Sequence, residues 1–190
     1  EKYSFDPEAR AQVRGELNLG DALVLGTTGR LSYQKNQAFL LDLFAKFHQK
    51  HPQSKLLIVG DGELRANLTE QIRNYHLEEA VLLPGWKTDV ERYLQAMDVF
   101  LLPSRFEGLG IAVVEAAASG LPCLVSDQVP EEVSFAETIR HVPLSLPVWN
   151  EALEELTQAQ VDRPGGVDVA RAAGYDIRQQ AKVLEALYED

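Results

Sequence analysis

Residues 98–127 read DVFLLPSRFEGLGIAVVEAAASGLPCLVSD, with one apolar run on each side of a glycine-bounded helical segment. The runs DVFLLPS and LPCLVSD are nearly continuous in apolar residues, as is typical of strands buried on both faces of a parallel sheet. Between them the pattern predicts a helix from Gly110 to Ser119, because Gly120 can end a helix and Pro122 cannot continue one. This stretch is therefore predicted to form a strand–helix–strand unit.

The same alternation continues on both sides of this unit. Three more apolar runs precede it: ALVLGTTG from Ala22, KLLIVG from Lys55 and AVLLPG from Ala80. Core-facing helical stripes are predicted at Leu40, Leu43, Phe44 and Phe47; at Leu64, Leu68, Ile72 and Tyr75; and at Val90, Tyr93, Leu94 and Met97. Further on, IRHVPL predicts a sixth short strand, PVWNEALEELTQA a helix, residues 160–176 a loop, and Ile177, Ala181, Leu184 and Tyr188 a last helix. The pattern predicts an α/β fold with a doubly wound, Rossmann-like parallel sheet.

Composition narrows the possible functions. The 190 residues, 45% of them hydrophobic, suit one domain over residues 1–190, and a formal charge of −11 argues against binding nucleic acid or anionic membranes. The only cysteine, Cys123, excludes an internal disulfide and favours a reducing, cytoplasmic location. No apolar run approaches the roughly 20 residues of a membrane span. Because the chain begins at Glu1 and its only methionine is Met97, we expect a fragment of a longer protein.

In a doubly wound sheet, ligands bind beyond the carboxyl ends of the strands, where the strand order reverses. With the order 3-2-1-4-5, that point lies between the loops TTGRLSYQKN and SRFEGLG. Gly108 and Gly110 permit close approach to a helix N-terminus, whose free N–H groups favour phosphate. Arg30 and Lys35, in the first loop, can neutralise a diphosphate. The two loops together predict an anion site.

Two carboxylates accompany this anion site. Glu107 precedes the predicted helix, and Glu115 lies about 7.5 Å along its axis from Gly110, at ~1.5 Å per residue. Carboxylates accept hydrogen bonds, so these two suit hydroxyl groups on either side of a diphosphate, such as those of a sugar and a ribose. The loop is therefore predicted to bind the anion and the glutamates to bind the hydroxyls.

Other ligand classes are disfavoured. The turn after the first strand reads GTTGRL, while GLGIAV and GDGELR lack the third glycine of a dinucleotide fingerprint, which argues against NAD and FAD. His48 and His51 have no neighbouring carboxylate or cysteine to complete a ligand set, so no metal site is expected. Cys123 and Trp149 are predicted to pack in the core.

Four segments, GRLSYQKN, LLIVGDGELR, LLPGWKTDV and PSRFEGLGIAVVEAAASGLP, resemble the nucleotide-sugar-binding half of retaining GT-B glycosyltransferases of family 4. The similarity extends from Tyr3 to Tyr188, and its most specific element is the E-x₇-E pair, Glu107 and Glu115. The resemblance implies the C-terminal half of a GT-B architecture, which binds the sugar donor, while an N-terminal acceptor domain is missing.

The resemblance also implies roles for individual residues. Arg30, Lys35 and Glu107 would form the catalytic set, with the two cations on the donor diphosphate and Glu107 beside the donor sugar. Glu115 would bind the ribose hydroxyls. The remaining donor-binding positions would be Gly29, Asp61, Trp86, Gly108, Leu109, Gly110 and Ile111, with Asp61 and Trp86 near the base. No metal or cofactor is expected, since the nucleotide-diphosphate sugar is itself the substrate.

The implied activity is hexose transfer from a UDP-sugar in bacterial polysaccharide, capsule or glycoconjugate biosynthesis. The full-length enzyme would be cytoplasmic and peripheral at the inner membrane face through the missing domain, and the isolated fragment would be inactive. Two alternatives share the architecture: a nucleotide-sugar epimerase or phosphorylase, and a non-catalytic nucleotide-binding module. The E-x₇-E pair beside a phosphate loop favours the transferase over both.

Overall fold

A computed structural model describes residues 2–158, 163–179 and 181. The strands are β1 (Val24–Thr28), β2 (Lys55–Val59), β3 (Val81–Gly85), β4 (Val99–Leu102), β5 (Cys123–Ser126) and β6 (Ile139–Val142). The helices are α1 (Pro7–Glu16), α2 (Gln37–Lys50), α3 (Arg65–Asn74), α4 (Val90–Ala96), α5 (Ile111–Ala118), α6 (Leu146–Gln158) and α7 (Gly166–Ala172), with a short 3₁₀ turn at Glu131–Val133. Strands and helices thus alternate along the chain as the apolar pattern predicts.

The six strands form one sheet in the order β3-β2-β1-β4-β5-β6. Every neighbouring pair is parallel, so the Rossmann-like, doubly wound prediction is confirmed. Gly26 of β1 lies opposite Leu57 of β2 on one side and Phe100 of β4 on the other. The strand order therefore reverses between β1 and β4, and this places the loops that follow them side by side.

Two apolar layers sandwich the sheet, because successive strand residues point to opposite faces. On one face, strand residues such as Leu25 and Ile58 pack against α2, α3 and α6. On the other, residues such as Val24 and Leu57 pack against α1, α4 and α5. Each fully buried side chain of this size contributes roughly 1.5–3 kcal/mol. The two layers fix the sheet from which the site loops project.

Two predicted core residues are confirmed. Trp149 is fully buried, and its ring lies edge-on to Phe39 with the ring centroids 5.3 Å apart. Cys123 is also fully buried, and burial raises the pKa of its thiol well above the ordinary value. Since the thiolate is the reactive form of cysteine, the buried thiol of Cys123 is unreactive, and the residue serves as a small part of the core.

Three details differ from the sequence prediction. Helix α1 was not predicted; it begins at Pro7, and the Asp6 side chain caps it by accepting from the N–H groups of Glu8 and Ala9. Residues 160–176 were predicted as a loop, but they contain α7. There, a Cβ on Gly166 would lie 2.4 Å from the Ala117 carbonyl oxygen, so α7 approaches α5 closely only because this residue is glycine.

The third difference concerns the stripe on α3. Tyr75 is 41% exposed rather than buried, and its hydroxyl donates to Asp42 Oδ1 at 2.6 Å. In the predicted last helix, Ile177 is exposed, Ala181 is helical, and Leu184 and Tyr188 lie outside the described residues. Within the described ranges, no helix has the length and apolar character needed to cross a membrane.

Candidate functional site

A cleft of about 670 Å³ opens at the carboxyl end of β1, at the point where the strand order reverses. Its size is in the range of small-molecule sites, about 300–1,000 Å³. The predicted site residues that line it are Gly29, Arg30, Lys35, Asp61, Trp86, Ile111 and Glu115. Four others, Glu107, Gly108, Leu109 and Gly110, lie outside its lining. The structure therefore brings most of the predicted residues together.

The floor of the cleft depends on glycines in the loop after β2. A Cβ on Gly60 would lie 1.8 Å from the Gly29 carbonyl oxygen, and a Cβ on Gly62 would lie 2.4 Å from that of Leu31. The Leu31 N–H donates to the Asp61 carbonyl at 3.0 Å, so the two loops touch through their backbones. The GDG sequence is thus explained by loop packing, which carries Asp61 to the cleft beside Arg30.

Lys35 forms a nearly buried ion pair with Glu107. Lys35 Nζ lies 2.6 Å from Glu107 Oε1, and the two side chains are 18% and 7% exposed. Ser104 Oγ donates to the same carboxylate oxygen at 2.6 Å. Because an ammonium group has three donors and Glu107 takes one, Lys35 keeps donors for the cleft that it lines. Glu107 thus sits behind Lys35 and orients it.

A polar loop contact reinforces this arrangement. The Arg105 N–H donates to the Gln34 carbonyl at 2.8 Å, and Asn36 Nδ2 donates to the Pro103 carbonyl at 3.1 Å. Asn36 has a positive φ of 56° at the start of α2, a conformation that asparagine tolerates better than most residues. The loops after β1 and β4 are therefore joined directly, and sequence reasoning missed Asn36 and Gln34.

Arg30 is paired differently from Lys35. Its Nε lies 3.0 Å from Glu63 Oε2, and the two side chains are 74% and 53% exposed. A backbone N–H first, and Arg30 second, hold the pKa of Glu63 below its ordinary value. Exposed pairs of this kind contribute little and exchange readily with other ions. An anion entering the cleft can therefore replace Glu63 on Arg30, a partner that sequence reasoning missed.

The N-terminus of α5 lines the same cleft as these cations. Gly110 precedes the helix with a positive φ of 76°, and a Cβ there would lie 3.1 Å from Val129 Cγ1, so glycine is required. No side chain among the described residues caps this end, and Ile111 and Ala112 face the cleft. The free N–H groups of such a helix start favour an anion.

Glu115, on the first turns of α5, lines the cleft as well. Tyr3 donates its hydroxyl to Glu115 Oε1 at 2.5 Å, across 112 positions of sequence. Burial first, and this hydrogen bond second, raise the pKa of Tyr3 above its ordinary value of 10.0, so the phenol stays protonated. Nothing in the local pattern around Tyr3 indicates this contact.

The far end of the cleft is formed by the loop after β3. Trp86 is 71% exposed there, and its neighbour Lys87 adds a cation that sequence reasoning missed. Lys87 Nζ also lies 5.6 Å from the centre of the Tyr93 ring. The lining thus includes three cations, Arg30, Lys35 and Lys87, beside the carboxylates of Asp61 and Glu115. A chain with a net charge of −11 still presents a locally cationic cleft.

A larger, open depression of about 1,030 Å³ lies at the opposite end of the strands, where Leu23 and Asp98 precede β1 and β4. Three of its four charged residues are already paired: Arg10 donates to the Gln95 and Met97 carbonyls, and Asp98 accepts from Arg10 and Arg14. These contacts satisfy carbonyls at the end of α4, as cations commonly do at helix C-termini. We interpret this depression as structural.

His48 and His51 pair with neighbouring side chains. His48 Nδ1 lies 3.1 Å from Ser54 Oγ, and His51 Nε2 lies 2.9 Å from Glu154 Oε2. Within the part of the chain that the structure describes, no three His, Cys, Asp or Glu side chains cluster as metal ligands.

Known proteins match this chain in sequence. Residues 10–141 match the family "Glycosyl transferases group 1". EpsF of Bacillus subtilis, a protein named as a glycosyltransferase, is 34% identical over 172 residues, which cover 88% of this chain and 45% of EpsF. The Escherichia coli UDP-Gal:alpha-D-GlcNAc-diphosphoundecaprenol alpha-1,3-galactosyltransferase is 38% identical over 110 residues, 56% of this chain and 28% of that enzyme.

Solved structures share the fold. The structure of Anabaena HepE with UDP and glucose superposes with a TM-score of 0.81 at 22% identity, over 98% of this chain and 54% of HepE. The HepE complex with UDP-glucose gives a TM-score of 0.80 at 22% identity, over 100% of this chain and 55% of HepE. The chain thus spans about half the length of these proteins, or less. Since the family match extends over residues 10–141, this protein belongs to the glycosyl transferases group 1 family.

Proposed function

We propose that this chain is the donor-binding half of a retaining glycosyltransferase that transfers a hexose from a UDP-sugar in polysaccharide or glycoconjugate biosynthesis. One observation carries the proposal: Arg30 and Lys35 line a single cleft together with the N-terminus of α5 and with Glu115 of the same helix. Cations and free N–H groups suit a diphosphate, and the carboxylate suits hydroxyls. A nucleoside diphosphate linked to a sugar has both kinds of group.

In this proposal the diphosphate lies between the β1 loop and the start of α5. Arg30 leaves Glu63 for the phosphate oxygens, and Lys35 contributes donors that Glu107 does not use. Both cations then stabilise the negative charge that develops on the departing nucleoside diphosphate. Groups held in place before the reaction need little reorganisation, and the Glu107 contact holds Lys35 in this way.

The remaining residues address the two ends of the donor. Glu107, held by Ser104 and Lys35 just outside the cleft lining, is assigned to the donor sugar in this proposal, and Glu115 to the ribose hydroxyls. Asp61 and Trp86 line the part of the cleft proposed for the base. The backbone of Gly108, Leu109 and Gly110 does not line the cleft but leads into the α5 N-terminus, where the proposal places the phosphates. The donor needs no metal in this arrangement.

Two comparisons support a UDP-sugar as the donor. The Escherichia coli relative carries UDP-Gal in its name, and HepE was crystallised with UDP-glucose. We further propose that transfer needs an N-terminal acceptor domain in the same protein, which also provides any peripheral contact with the inner membrane face. The 190-residue chain alone then binds donor weakly and transfers nothing.

Calorimetric titration of the chain with UDP, GDP, ADP and NAD tests this proposal. We expect selective binding of UDP, weakened at least about tenfold in Glu115→Ala because hydrogen bonds to a charged group are lost. Glu70→Ala is the matched control, since Glu70 is an exposed helix glutamate outside the cleft. Absence of UDP binding, binding of NAD alone, or equal affinity in Glu115→Ala would refute the donor site.

A further inference from the structure

The segment before α1 is fastened to the body of the domain. Gln95 of α4, only 3% exposed, accepts from the Asp6 N–H at 3.1 Å and donates to the Ser4 carbonyl at 3.2 Å. Beside it, the Arg163 guanidinium lies 4.2 Å from the centre of the Phe5 ring. A buried amide that uses both its donor and its acceptor on one backbone segment fixes the path of that segment. Residues 4–6 are therefore held against α4.

This path places Tyr3 next to Glu115, which lines the cleft. The ring of Tyr3 packs at the edge of the apolar layer formed by α4 and α5, and its hydroxyl reaches Glu115 Oε1 at 2.5 Å. A glutamate on a helix surface otherwise samples several rotamers. The contact with Tyr3 removes that freedom at the carboxylate that faces the cleft.

The contact with Tyr3 leaves Glu115 able to accept further hydrogen bonds. An ionised carboxylate offers about four lone-pair sites on two oxygens, and Tyr3 occupies one of them. The other oxygen and the remaining lone pair stay available to hydroxyl groups in the cleft that Glu115 lines. The geometry is that of a carboxylate oriented by one donor and open to others.

We infer that Tyr3 is a positioning residue that orients Glu115 for the vicinal hydroxyls of the donor ribose. This inference rests on the proposed function, since it assigns Glu115 to the ribose. Tyr3 does not line the cleft, so its effect passes through Glu115. It follows that Tyr3 raises the affinity for a ligand with ribose hydroxyls and has no effect on the affinity for a ligand without them.

The test compares UDP with 2′,3′-dideoxyuridine diphosphate, titrated by calorimetry into the wild-type chain, Tyr3→Phe and Glu115→Ala. Tyr3→Phe should weaken UDP binding by about fivefold, part of the cost of losing a hydrogen bond to a charged group. Its affinity for the dideoxy ligand should equal that of the wild type. That equality also shows that the variant is folded, because a general structural defect would weaken both ligands alike.

Tyr75→Phe is the matched control, because Tyr75 makes the same kind of tyrosine–carboxylate bond, to Asp42 at 2.6 Å, outside the cleft. It should bind both ligands as the wild type does. The inference is overturned if Tyr3→Phe leaves UDP affinity unchanged, raises it, or lowers the affinity for both ligands equally. If the wild type binds neither ligand, the proposed function falls, and the role of Tyr3 falls with it.

Discussion

Neutralising Glu107 should cost far more stability than neutralising Glu63, although both glutamates pair with a cation of the same loop. The Lys35–Glu107 pair has an N–O distance of 2.6 Å and side chains 18% and 7% exposed. Removing one partner of a fully buried pair costs about 3–5 kcal/mol, because the other charge is left uncompensated. Since Lys35 keeps some access to water, we expect Glu107→Gln to lower the free energy of unfolding by about 2–3 kcal/mol.

Glu63→Gln is the matched control. Its pair with Arg30 spans 3.0 Å, but the two side chains are 53% and 74% exposed, so we expect no measurable loss of stability. Urea unfolding followed by circular dichroism measures both variants. In a chain of this size, Glu107→Gln should also lower the melting temperature by about 5–10 °C.

The double variant Lys35→Met/Glu107→Gln isolates the interaction. If the cost arises from the stranded charge, replacing Lys35 as well should recover about 1–2 kcal/mol of the loss. The reasoning is refuted if Glu107→Gln and Glu63→Gln cost the same. It is equally refuted if the double variant is no more stable than Glu107→Gln alone.

Two further predictions concern the loop contact and the tyrosine. Gly60→Ala should lower the free energy of unfolding by more than about 3 kcal/mol, because its Cβ would lie 1.8 Å from the Gly29 carbonyl oxygen at a φ of 149°. Gly15→Ala is the control: Gly15 lies in helix α1 with nothing within 4 Å of its Cβ, so this variant should raise the free energy of unfolding by up to about 1 kcal/mol. Similar effects in the two variants would contradict the loop contact. The raised pKa of Tyr3 adds stability that is fully present below its ordinary value of 10.0 and is lost as the pH rises from there toward the folded-state pKa, since the unfolded chain ionises first. Between pH 10 and 11.5 the free energy of unfolding should therefore fall less steeply with pH in Tyr3→Phe than in the wild type. Identical slopes would count against the buried phenol.

Much of the sheet could be predicted because its signals are local. Six short apolar runs, separated by amphipathic stripes, are enough to indicate parallel strands, and the chirality of their connections leaves few strand orders. Helices α1 and α7 are harder, because each is held by contacts with distant elements. The close approach of Gly166 to Ala117 is one example: it turns an apparent loop glycine into a packing requirement.

The site divides along the same line. Arg30, Lys35 and Glu115 could be placed because the reversal of strand order alone brings their loops together. The spacing of Glu107 and Glu115 could not reveal that, of the two, only Glu115 lines the cleft, since the burial of Glu107 depends on Ser104 and Lys35. Contacts such as Tyr3 with Glu115, 112 positions apart, leave no trace in any local pattern.

The pairing of the two loop cations explains how an acidic chain can hold an anion site. Both Arg30 and Lys35 already pair with carboxylates, so neither of these two loop cations is left without a counter-charge. The two pairs differ in how easily they open, because the exposed Arg30–Glu63 pair is screened by water and the Lys35–Glu107 pair is not. In the proposed binding mode, an incoming diphosphate displaces only Glu63, while Glu107 stays in place and holds Lys35 in position. Affinity for the anion is then set by an exchange of one carboxylate for the diphosphate, and the net charge of the chain has little part in it.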